Sequence, residues 1–102
     1  MIARVAYFEG VNVEAAQATM DEAEAIIRPM LEGMTGYQGV LELVSEDGKF
    51  ISVTLFDSAE NAQAAESTFD QEMPAKLGHI FQQWEGHRVS VDLYQVVGDS
   101  RA

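Results

Sequence analysis

The stretch Leu41-Glu42-Leu43-Val44-Ser45-Glu46-Asp47-Gly48-Lys49-Phe50-Ile51-Ser52-Val53 decides the fold. Two runs rich in apolar residues flank Asp47-Gly48. An Asp-Gly pair in that setting marks a β-hairpin, because glycine accepts the positive φ that a tight turn demands. The spacing predicts strands over 37–45 and 49–56.

Upstream, apolar residues recur at Ala16, Met20, Ala23, Ile27, Met30 and Met34, the period of a helix. Asn12 stands where an N-cap belongs, and Glu14 lies beside the positive end of the helix dipole. Glu14, Gln17, Asp21, Glu24 and Arg28 form the opposite, solvated face. Pro29 is expected to kink this helix, and Gly33 and Gly36 to end it. Residues 2–8 before it read as a strand closed by Glu9-Gly10. Downstream, Asp57 and Ser58 precede Glu60 and Asn61 with capping-box spacing, opening a second helix with an inner stripe of Ala62, Ala65, Phe69 and Met73. Pro74 is expected to break it. A shorter helix with Leu77, Ile80, Phe81 and Trp84 runs to Gly86, and 88–97 is the last strand.

The order is therefore β-α-β-β-α-β, and residues 1–102 make one α+β domain: a ferredoxin-like, antiparallel four-stranded sheet with its helices on one face. Alternation divides the strand residues into two sets. Ala3, Val5, Tyr7, Leu41, Leu43, Ile51, Val53, Leu55, Val89, Val91 and Leu93 are almost wholly apolar. The other set, including Arg4, Phe8, Val40, Glu42, Phe50, Ser52, Thr54, Phe56 and Asp92, is mixed. The simple assignment puts the apolar set under the helices and the mixed set against a second copy, making a homodimer. Arg4 and Asp92, on neighbouring strands, are expected to pair.

Seventeen acidic residues against six basic ones give a formal charge of -11. Such a surface repels phosphate backbones and anionic membranes, so neither nucleic acid nor membrane is an expected partner. No apolar run approaches the roughly 20 residues of a membrane span. The first residues carry no signal-peptide pattern, so the cytoplasm is the default address. Cysteine is absent, and no His-Glu-x-x-His spacing occurs, so no metal site is expected.

The segment 36–50, continuing through Phe56-Asp57-Ser58-Ala59-Glu60-Asn61-Ala62, resembles the core of antibiotic-biosynthesis-monooxygenase-like domains: a glycine-led strand, an acidic turn, an apolar strand, an aromatic residue and a capped helix. The resemblance implies a dimeric α+β barrel with a pocket between sheet and helices in each subunit. Members include quinone-forming oxygenases that need no metal or flavin, and haem-degrading monooxygenases. The haem-degrading branch carries a ligand histidine, a tryptophan ten residues before it and an asparagine on the first strand. Here those positions are His79, Phe69 and Tyr7, so two of three depart and haem ranks third.

The leading reading is a cofactor-independent monooxygenase of small aromatic molecules. His79 would act as base and Tyr7 would orient the substrate, with Phe56, Phe69, Phe81 and Trp84 lining the pocket. The plainer readings stand beside it: a helix-edge histidine, a strand tyrosine with a wet hydroxyl, and aromatics that are simply core. A non-catalytic dimer that binds a small apolar ligand, or simply assembles, is the alternative function.

Overall fold

The computed structural model describes residues 1–101. Strand β1 (Ile2–Val11) leads into helix α1 (Val13–Glu32), then strands β2 (Tyr37–Val44) and β3 (Phe50–Phe56). Helix α2 (Ala59–Ala64), a π-helical segment (Thr68–Glu72), helix α3 (Met73–Trp84) and strand β4 (Glu85–Gln95) complete the chain. The sheet is antiparallel in the order β2-β3-β1-β4. The expected ferredoxin-like α+β fold is what the chain adopts.

Local chemistry accounts for most boundaries. The Asn12 side chain accepts a hydrogen bond from the Ala15 amide at 3.1 Å and starts α1. Ser58 caps α2 through the Asn61 amide at 3.2 Å. Gly48 sits in the hairpin turn at φ +86°, where an added Cβ would stand 2.7 Å from the Val11 carbonyl oxygen. Several boundaries differ from expectation: β1 runs on through Glu9-Gly10 to Val11, and β4 begins directly after Trp84, at Glu85. The helix expected to run to Met73 is divided, because the π-helical segment follows α2. Pro74 does not end a helix but sits in the first turn of α3, where its missing N–H leaves no hydrogen bond unmade.

On β1, β2 and β3 the two faces of the sheet are also the reverse of expectation. Residues opposite one another in an antiparallel ladder share a face. Arg4 lies opposite Thr54, Ala6 opposite Ser52, Phe8 opposite Phe50, Val40 opposite Thr54 and Glu42 opposite Ser52. This mixed set faces the helices. Phe50 packs in the core with Val11, Ile27, Leu77, Ile80 and Trp84, and Phe56 with Ala62 and Ala65. Val5, Tyr7, Leu41, Leu43, Ile51 and Val53 point the other way, and Leu41 and Leu43 are 53% and 51% exposed. On β4 the expected faces hold: Val91 and Leu93 pair with Ala6 and Arg4 on the helix side, and Asp92 lies on the other. Alternation tells which residues share a face but not which face is covered. Here the polar members turn inward because they line a cavity.

Candidate functional site

That cavity has a volume of about 540 Å³ and lies between the sheet and the helices, within the range of small-molecule sites. Its floor is the mixed face of the sheet: Arg4, Ala6 and Phe8 from β1, Val40 and Glu42 from β2, and Phe50, Ser52 and Thr54 from β3. Ile27 and Leu31 of α1 and Gly78, Phe81 and Trp84 of α3 contribute the walls and roof, with His87 and Arg88 of β4 at the rim. The aromatic rings form a chain. Phe8 meets Phe50 edge-on at 5.9 Å, Phe50 lies 5.7 Å from Trp84, and Trp84 lies 5.2 Å from Phe81. The Trp84 Nε1 donates to the Thr19 hydroxyl at 2.7 Å, so the indole's polar end is satisfied.

The floor carries two polar atoms with no partner among the described residues, Glu42 Oε2 and Thr54 Oγ1. Burying an unpartnered polar group is costly, and such groups mark sites where something else supplies the bond. Loss of water pushes the Glu42 carboxyl above the ordinary glutamate pKa, and the charge of Glu24 adds to the effect. Glu42 and Ser52 face each other across one rung of the ladder, and Val40 and Thr54 across another. A carboxyl and two hydroxyls thus occupy one patch of a floor whose other residues, Arg4 apart, are apolar.

The two arginines of the cavity are already engaged. Arg4, only 3% exposed, donates from Nε to Glu66 at 3.0 Å, and its guanidinium lies 3.9 Å over the Phe69 ring. The expected partner Asp92 is instead opposite Val5 on the other face. Arg88 Nη1 donates to Asp70 at 2.9 Å, tying β4 to the π-helical segment.

Of the residues expected at the site, Phe69, Phe81 and Trp84 line the cavity. Phe56 does not; it is fully buried beneath α2. Tyr7 lies on the open face of the sheet, its hydroxyl donating to Glu9 at 3.2 Å. His79 is 61% exposed on the outside of α3, with Nε2 3.7 Å from Glu22. Tyr7 and His79 therefore neither meet nor reach the cavity, and the pairing of base with orienting hydroxyl does not form. The reason is phase. The buried stripe of α3 is Met73, Leu77, Ile80 and Trp84, and position 79 falls outside it. The same geometry tests haem: the histidine expected to ligate iron stands outside the cavity, and His87 at the rim is exposed. These residues do not fit a haem held from His79. Among the described residues no three His, Cys, Asp or Glu side chains converge as a metal would require.

Glu42, Ser52, Thr54 and Arg4 were the missed members of the site. Their signal was present, since they are the polar positions in otherwise apolar strands.

No protein-family model matches the sequence, and no curated protein is significantly similar to it. Solved structures do share the fold. A protein from Bordetella bronchiseptica, assigned to the antibiotic biosynthesis monooxygenases, is 20% identical with a TM-score of 0.68, over 94% of this chain and 96% of that one. SnoaB from Streptomyces nogalater, a cofactor-independent oxygenase, is 12% identical with a TM-score of 0.65, over 99% and 97%. The haem degrader MhuD from Mycobacterium tuberculosis is 23% identical with a TM-score of 0.62, over 99% and 100%. At these identities the likeness is one of fold: the chain has an antibiotic-biosynthesis-monooxygenase-like fold.

Proposed function

On a chain with the antibiotic-biosynthesis-monooxygenase-like fold, we propose that the cavity binds a small electron-rich hydroxyarene and oxidises it with molecular oxygen, without a bound cofactor. The observation that carries this reading is the unpartnered Glu42 carboxyl on the floor of an aromatic-walled cavity. The precedent of a cofactor-independent oxygenase with the same fold supports it.

Glu42 takes the hydroxyl proton of the substrate, and its raised pKa narrows the gap to a phenol. The Thr54 hydroxyl donates to the oxygen left behind. The apolar walls exclude water from the electron-rich ring. The substrate supplies the electrons: a ring C–H becomes C=O, one atom of O₂ enters the product and the other leaves as water. Glu42 replaces His79 as base and Thr54 replaces Tyr7 as the orienting hydroxyl, because only the former pair lines the cavity.

The open apolar face is covered by a second copy of the chain. Val5, Tyr7, Leu41, Leu43, Ile51 and Val53 share this face, and Leu41 and Leu43 are more than half exposed, an apolar surface that a two-fold partner would cover.

Ligand binding without turnover is the second reading. One observation favours it: Arg4 and Arg88 are both committed to carboxylates, leaving a hydroxyl as the donor for a developing oxyanion. Incubation with a panel of hydroxynaphthalenes and hydroxyanthracenes under ¹⁸O₂ separates the two. Turnover gives a quinone that carries one labelled oxygen. Saturable binding with no labelled product leaves binding alone.

A further inference from the structure

Most glycines of this chain have an evident reason. At Gly36, Gly48 and Gly86 φ is positive and an added Cβ would come within 3.0 Å of another atom. Gly78 has neither reason. It sits inside α3, five residues from its start, with φ outside the left-handed region and nothing within 4 Å of an added Cβ. Helix interiors disfavour glycine relative to alanine, so the fold would be better served by a side chain. The space above Gly78 belongs to the cavity, which Gly78 itself lines.

The neighbours give that space a shape. Pro74, Gly78 and Phe81 follow one another at helical spacing along the cavity side of α3. The roof recedes to bare backbone at Gly78 and closes again at the Phe81 ring. The floor recedes likewise at Ala6 and Ser52, which share a rung. Rings of Phe8, Phe50, Phe69, Phe81 and Trp84 stand around these small residues. Small residues in roof and floor with aromatic rings between them describe a slot.

We infer that Gly78 is a specificity-determining residue: its missing side chain holds open a slot between α3 and the sheet that admits a flat ring system and rejects a globular molecule of the same size. This rests on the reading of the cavity as the ligand site.

Two neutral ten-carbon alcohols, planar 2-naphthol and globular 1-adamantanol, test it by calorimetry on the wild type, Gly78→Ala and Gly78→Leu, with a melting curve for each protein. The wild type binds 2-naphthol at least about tenfold tighter than 1-adamantanol. Gly78→Ala melts about 3–8 °C higher, as a helix relieved of a glycine should, yet binds 2-naphthol more weakly. Gly78→Leu, whose side chain is also a good helix former, loses roughly ten- to a hundredfold of that affinity. Unchanged 2-naphthol affinity in Gly78→Ala and Gly78→Leu would overturn the role of Gly78 and leave the proposed function standing. Equal binding of the two alcohols to the wild type would overturn the slot. A wild type that binds neither alcohol would remove the cavity as a ligand site, and the proposed function with it.

Discussion

Replacing Glu42 with leucine should stabilise the protein while destroying its site. In the folded chain Glu42 Oε2 is buried without a partner, and an unmade hydrogen bond at a buried polar group costs about 1–3 kcal/mol. The side chain is half-buried, so a gain of about 1–2 kcal/mol is expected. At roughly 4–8 °C per kcal/mol for a domain of this size, the melting temperature rises by about 4–16 °C. The gain depends on pH with a definite sign. Folding raises the Glu42 pKa, so the fold favours the protonated carboxyl. That contribution is complete below the ordinary glutamate value and is lost as pH rises through the raised one. The advantage of Glu42→Leu is therefore greater at pH 8 than at pH 5. Calorimetric melting of both proteins at the two pH values measures it. A lower melting temperature for Glu42→Leu, or the same difference at both pH values, would refute the picture of a carboxyl held at a desolvation cost for its chemistry.

Glu66→Ala leaves the buried Arg4 guanidinium with Phe69 but no anion; a loss of about 2 kcal/mol in denaturant unfolding is expected, and a loss under half that would mean that the pair contributes no more than a surface bridge. Sedimentation at micromolar concentration should give twice the 11.2 kDa chain mass, and Leu41→Glu with Leu43→Glu should return the monomer; a monomeric wild type would remove the second copy from the open face. Haemin added to wild type and His79→Ala should give identical visible spectra, because His79 stands outside the cavity; a saturating Soret shift lost in His79→Ala would restore it as an iron ligand.

Sequence-local features were the most legible. Asp47-Gly48, Asn12 and Ser58 act through bonds within a few residues of themselves, and each stands where its chemistry predicts. The face assignment failed because it depends on what covers each side of the sheet. Glu42, Ser52 and Thr54 were expected on the face toward a second copy, yet a cavity draws polar side chains inward just as water draws them outward. Pro74 was ambiguous for a similar reason: the same ring that ends one helix suits the first turn of the next. His79 was drawn into the site by its ten-residue distance from Phe69, although the helical phase of Leu77, Ile80 and Trp84 already turned it away. Phe69 reached the cavity by its place in the π-helical segment, which the stripe Ala62, Ala65, Phe69 did not reveal.

Oxygen uptake in the presence of the best-bound hydroxyarene, followed in parallel for wild type, Glu42→Gln and His79→Ala, locates the chemistry most directly. With the base on the cavity floor, wild type and His79→Ala consume oxygen at the same rate, and Glu42→Gln loses about a hundredfold or more. Uptake abolished in His79→Ala and kept in Glu42→Gln would contradict the assignment of the cavity as the active site.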